Sequence, residues 1–291
     1  MGTRLDAVFI DIEDEKADSL ASRLRKELDK LENILSNYKT DSELSVLNRT
    51  AYGNDIKVSP FLLKTIALCI HYYELTKGVF DPGKGKLTGS SDSRMKRKGG
   101  SGVSSLIESS GMGQVELKKS RKTVRFHGKN VKIDSGGFGK GLAIKKVKEV
   151  LISEGINNAL VSFGESSVLA LGAHPHGKHW PIAVADIYKK QSIARLAMLT
   201  NKSISTSGTG FVDDKGMFKA SYNVFDPRTG ETIDEPRTVS VISDDPLEAE
   251  ILSTALLIDS DCLPGDFDRK GKEAFAVIYD FRKNFIVKDI F

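Results

Sequence analysis

The chain has 291 residues, 40% of them hydrophobic, and a formal net charge of +4, enough apolar side chain for one large core and too much for a disordered body. No stretch reaches the roughly 18 apolar residues of a membrane-spanning helix, the N-terminus lacks the basic-then-apolar pattern of a signal peptide, and two cysteines, Cys69 and Cys262, are too few for a disulfide framework. Between Asp92 and Lys148 stand 15 Lys or Arg against 4 Asp or Glu, a stretch that attracts anions but lacks the interleaved aromatics and regular spacing of a nucleic-acid surface, so no nucleic-acid partner is expected.

Residues 5–12 alternate as a strand, and Asp14 is expected to cap a helix whose Leu20, Leu24, Leu28, Leu31 and Leu35 step by three and four. Ser59 and Pro60 open a second helix as cap and first-turn residue, and Gly78 closes it. The Gly-, Ser- and Lys-rich residues 83–113 read as a mobile surface loop. A strand at 131–133 is expected to run through a glycine turn into a helix over 140–154 that Gly155 ends, followed by a strand at 159–163. Further strands are expected at 180–184, 221–225, 237–242 and 274–279, with a helix over 246–258. No internal repeat and no long linker divides the chain, so the order predicts an α+β fold: a single domain over residues 1–291 with two lobes and largely antiparallel sheets flanked by helices.

Three runs carry candidate chemistry. Asp134-Ser-Gly136-Gly137-Phe-Gly139-Lys140-Gly141 sits where a strand turns into a helix: glycines let a phosphate approach backbone N–H groups, and the helix N-terminus and Lys140 add positive potential. It matches neither standard nucleotide fingerprint, so a plain tight turn is an equal reading. In Glu250-Ile-Leu-Ser253-Thr254 the carboxylate and the hydroxyl lie four residues apart on one helical face, as hard oxygen ligands for magnesium would; a carboxylate favoured by the helix dipole is the simpler alternative. Ser203 to Gly208, containing Ser205 and Ser207, and Asn223 to Gly230, containing Asp226, read as hydroxyl-rich and turn-forming loops. His174, His176 and His179 are spaced by Pro175 and Gly177, which suggests a hairpin loop rather than a metal cluster.

Taken in order with Met1-Gly2-Thr3, Ser36-Asn-Tyr38, Asp41 to Asn48, Gly78-Val-Phe-Asp81-Pro82 and Ala249 to Ala255, these runs resemble the ApbE-like flavin transferases over most of the chain. The resemblance implies a T-fold-like core and transfer of FMN from FAD to a threonine of a partner protein, with AMP leaving. It places Met1, Gly2, Thr3, Tyr38, Asn48, Asp81, Asp134, Gly136, Gly137, Ser207 and Gly208 near FAD, and Lys140 on its phosphates. The Gly139 carbonyl, Glu250 and Thr254 would hold Mg2+. The sequence departs from the family pattern at Asn223, where a histidine is usual and which cannot exchange a proton near neutral pH, at Glu250 in place of Asp, at Glu165 and at Lys145. Glu165 and Asp226 are the candidates to serve as base, unranked. An FAD carrier and an FAD pyrophosphatase stay open as alternatives. Met1 as a native start implies a cytoplasmic protein; a leader removed before it implies export and membrane anchoring.

Overall fold

The computed structural model describes residues 3–88, 101–189, 192–213, 215–221, 224–233, 235–280 and 282–291. The fold is α+β. Its centre is a seven-stranded sheet of β1 (Leu5–Phe9), β5 (Ala159–Phe163), β6 (Ser167–Leu171), β9 (Lys202–Gly208), β12 (Arg237–Ser243), β13 (Glu273–Tyr279) and β14 (Phe285–Asp289), in that spatial order. Every pairing in it is antiparallel.

The central strands are buried on both faces, which is why β6 reads as an apolar run without alternation. One face is covered by α1 (Asp14–Leu35), α6 (Gly139–Ser153) and α7 (Pro246–Ile258), with Leu20, Leu24 and Leu31 packing on Ile144, Val147 and Leu151. The other carries the ribbon of β7 (Trp180–Ala185) and β8 (Ile193–Leu199), which buries Trp180, Val184 and Leu199 against Ile204 and Phe275. A third cluster joins α7 to α2 (Glu43–Thr50) and α3 (Pro60–Leu75), beside a small sheet of β2 (Ile56–Lys57), β4 (Thr123–Phe126) and β3 (Val115–Lys118).

Local chemistry sets most element ends. Ser59 accepts from the Leu62 amide and Asp245 from the Leu247 amide, each ahead of a proline at the helix start. Gly78, at φ +81°, closes α3 with its amide on Tyr73 O. Asp14 does not cap α1: it is the first helical residue, where its charge meets the helix dipole, and Glu13 holds the cap position without a side-chain bond.

Three expectations are corrected. Residues 131–133 form no strand, because Asn48 occupies the backbone groups of Ile133 that a neighbouring strand would take, accepting from its amide at 2.8 Å and donating to its carbonyl at 2.9 Å. Of the strand expected at 221–225, residues 222 and 223 lie outside the described residues; the Val224 amide turns back on Ser221 O, and Phe225 enters an isolated bridge with Thr232. The glycine-rich stretch is built at both ends, as α4 (Gly85–Thr88) and α5 (Ser101–Glu108); a Cβ on Gly83 would collide with the Gly111 backbone, and Gly111, at φ +97°, has no room for one beside the Asp81 carboxylate. Its Ser-rich and basic middle, residues 89–100, lies outside the described residues. The remaining short strands, β10 (Gly210–Val212) and β11 (Phe218–Ala220), form a two-stranded antiparallel sheet among the described residues.

Candidate active site

The glycine turn is built by its own aspartate. Asp134 accepts from the Gly136 amide at 2.8 Å, tightening residues 135–137 into a 3-10 turn, and the Ser135 hydroxyl donates to Leu35 O at the end of α1. Phe138 then drives into the core, 1% exposed, and α6 starts at Gly139 with no side-chain cap of its own. Its cap comes from α7: the Gly141 amide and the Lys140 ammonium both donate to the Glu250 carboxylate, the latter at 2.6 Å. Gly141 has to be glycine, since a Cβ there would lie 2.8 Å from Glu250 Oε2, Leu247 Cα and Pro246 O.

One turn along α7, the Thr254 hydroxyl donates to Glu250 O at 3.1 Å. Ser207 of β9 lies 2.9 Å from the Ser253 hydroxyl and 3.3 Å from that of Thr254. Strand, helix and turn therefore converge on one cavity of about 720 Å³, well suited to a large ligand. Of the residues singled out from sequence, its wall gathers Tyr38, Asp81, Asp134, Gly136, Gly137, Lys140, Ser207, Gly208, Glu250 and Thr254. An apolar side made by Val79, Phe80, Phe225, Leu257 and Ile258 completes it, and Tyr38 projects from the rim, 96% exposed.

The wall's charges are balanced. Asp81, Asp134 and Glu250 face Lys84, Lys132 and Lys140. Burial pushes the Glu250 carboxyl above the usual carboxylate range, and Lys140 and the Gly141 amide pull it part of the way back. Burial likewise raises Asp81, against the Met112 and Gly83 amides and Lys84, while it lowers the ammonium of Lys84. Lys84 and Lys132 carry no signal of their own in a lysine-rich sequence; the backbone bridge between them, with Gly85 N on Lys132 O, brings them to the turn.

The remaining candidates are not on that wall, although Gly139 adjoins Lys140 and Asp226 stands between Phe225 and Pro227. Thr3 lines a separate groove of about 410 Å³ between β1 and α1. Asn48 spends its amide on Ile133, and Gly139 is buried in the first turn of α6. Glu165, at φ +60° in the β5–β6 turn, is largely exposed with Arg4 at 3.8 Å. The Asp226 carboxylate is clasped by Arg228, at 3.0 Å from Nε and 2.7 Å from Nη2, and Arg228 also reaches Asp259 at 3.0 Å. Lys145, a departure noted from sequence, pairs with Asp245, the α7 cap. Met1, Gly2 and Asn223 lie outside the described residues. Among the described residues no three His, Cys, Asp or Glu side chains form a metal-binding group, and His179 bonds Thr200.

Known proteins share both sequence and shape with this chain. The model of the ApbE family matches residues 1–261. An FAD:protein FMN transferase of Klebsiella pneumoniae (strain 342) is 24% identical, covering 89% of this chain and 76% of the relative; one from Buchnera aphidicola subsp. Schizaphis graminum is 29% identical over 81% and 71%. Among solved structures, the flavin transferase ApbE from Vibrio cholerae superposes with a TM-score of 0.80 at 21% identity, covering 99% of this chain and 94% of that one. The ApbE protein of Thermotoga maritima gives 0.79 at 22% identity, covering 99% and 93%.

Proposed function

This chain belongs to the ApbE family, and we propose that it transfers FMN from FAD to a threonine hydroxyl of a partner protein, with Mg2+ bound and AMP leaving. The relatives that match it along most of its length are FAD:protein FMN transferases. The observation that carries the reading to this chain is the convergence of the Asp134–Lys140 turn with Glu250 and Thr254 on one cavity.

The oxygen set fits magnesium. Glu250, Thr254 and Ser207 offer hard carboxylate and hydroxyl donors on the same wall, and Thr254 spends its proton on Glu250 O, which leaves its lone pairs for a cation. The resemblance adds the Gly139 carbonyl, which belongs to the first turn of α6 next to Lys140. When bound, the ion supplies Lewis-acid polarisation of a phosphoryl oxygen.

The residues of the chain do the rest. The glycine turn and the N-terminus of α6 hold the diphosphate with amide dipoles. Lys140 neutralises charge that grows on the bridging oxygen as the bond to AMP breaks. The apolar side, from Val79 and Phe80 to Leu257 and Ile258, accepts an aromatic ring and excludes water, which favours a protein hydroxyl as nucleophile over hydrolysis. Tyr38 offers an aromatic face at the entrance.

The test is incubation with FAD, Mg2+ and a threonine-bearing acceptor protein. AMP release with flavin covalently on the acceptor is the expected result. AMP with free FMN would mean a pyrophosphatase, and intact bound FAD a carrier; either overturns the assignment.

A further inference from the structure

We propose that Lys140 is the resident counter-cation of Glu250, so that a divalent ion reaches this carboxylate only as the diphosphate of FAD draws Lys140 away, and metal and FAD bind cooperatively. The inference rests on the flavin-transferase reading and adds to it the order in which the site fills.

The Glu250 carboxylate is 2% exposed and both its oxygens are engaged. Oε2 is fixed on the Gly141 amide, under the start of α6. Oε1 holds the Lys140 ammonium at 2.6 Å, so a cation entering from the cavity meets a carboxylate that already carries a positive partner. An ammonium and a divalent ion on one carboxylate oxygen repel strongly in a partly desolvated site. Lys140 is itself on the cavity wall with Gly136 and Gly137, so its long stem lets the ammonium move from Oε1 to a diphosphate on the turn without leaving the cavity.

Charge balance gives the sign of the coupling. Three acids, Asp81, Asp134 and Glu250, stand against three lysines, Lys84, Lys132 and Lys140. A divalent ion alone leaves the wall with two excess positive charges, and a diphosphate carrying one negative charge per phosphate leaves two excess negative charges. Only the two together restore neutrality. Each ligand therefore raises the affinity for the other by the same factor.

The direct test is Mn2+ binding, followed by the loss of the free-ion electron paramagnetic resonance signal, without any flavin. Lys140→Met is expected to bind Mn2+ at least tenfold tighter than the wild type. Lys132→Met, which removes a charge from the same wall but not from Glu250, is expected to change it less than threefold, and Glu250→Gln to lose it. Circular dichroism checks that each variant folds. In the wild type, saturating FAD is expected to tighten Mn2+ at least tenfold after correction for Mn2+ on free FAD. If FAD tightens Mn2+ in the wild type while Lys140→Met binds it no better than wild type, the counter-cation role is overturned and the metal reading stands. Equal Mn2+ affinity with and without FAD in the wild type overturns the coupling even if Lys140→Met fails to fold. Absence of Mn2+ binding in every protein, FAD present or not, overturns both.

Discussion

Glu250 of α7 caps α6: the side chain of Phe138, at the cap position, has no oxygen to offer, and the Gly141 amide three residues on donates to the Glu250 carboxylate instead. One side chain thus ties together the two helices that meet at the Lys140 end of the cavity, and this contact tolerates no side chain on residue 141. Gly141→Ala should lower stability by about 1–3 kcal/mol through overpacking. Gly265, with nothing within 4 Å of its Cβ position, is the comparison, expected to stay within about 0.5 kcal/mol on changing to Ala. Urea midpoints for the two variants check this, and equal values would mean that α6 and α7 shift apart freely.

Thr254→Ala removes the hydroxyl that faces both Ser207 and the cavity. Metal-dependent activity should need about 10–100-fold more Mg2+ to reach half its maximum, at least the loss seen when a supporting partner of a metal ligand is removed. Activity at saturating FAD with an unchanged Mg2+ profile would place the ion elsewhere.

Asp81 sets a pH dependence of stability. Its carboxyl is raised, chiefly by burial, from an ordinary value of 3.8. A raised carboxyl favours the folded state below the unfolded value, and that contribution is lost as pH rises toward the folded one. Asp81→Asn keeps an oxygen for the Gly83 and Met112 amides but does not ionise, so its stability relative to wild type should improve as pH goes from about 4 to 7. Denaturant midpoints across that range measure it; a relative decline would show that Lys84 outweighs burial.

Both thiols should be inert in the native protein. Cys69 and Cys262 are buried; burial pushes the Cys262 thiol up to about 12 and that of Cys69 further, and the thiolate is the reactive species. At pH 8 a disulfide reagent should label neither until denaturant is added, and then both. Fast labelling of the folded chain would mean that α3 or the segment after α7 opens readily.

How much was legible in the sequence depended on how local its cause was. The bounds of α7 followed from Asp245, Pro246 and an apolar helix face, and β5 from its own alternation. The strand expected at 131–133 failed because Asn48, 85 residues away from Ile133, takes up its backbone groups. Asp226 was an open candidate for base, yet Arg228, two residues on, clasps it and links it to Asp259. Lys84 carried no signal, since its place in the cavity wall depends on the bridge to Lys132.

By itself the sequence determined the helices α1, α3, α6 and α7, the strands β1, β5, β7, β12 and β13, and that a glycine turn and an oxygen-bearing helix face exist, because capping, periodicity and turn chemistry act between neighbours along the chain. Only the tertiary structure decided that Glu250 belongs at once to the cap of α6, to Lys140 and to the cavity. The two contacts join residues more than 100 positions apart, and packing of α6 on α7 over one sheet, not local preference, brings them together beside the cavity.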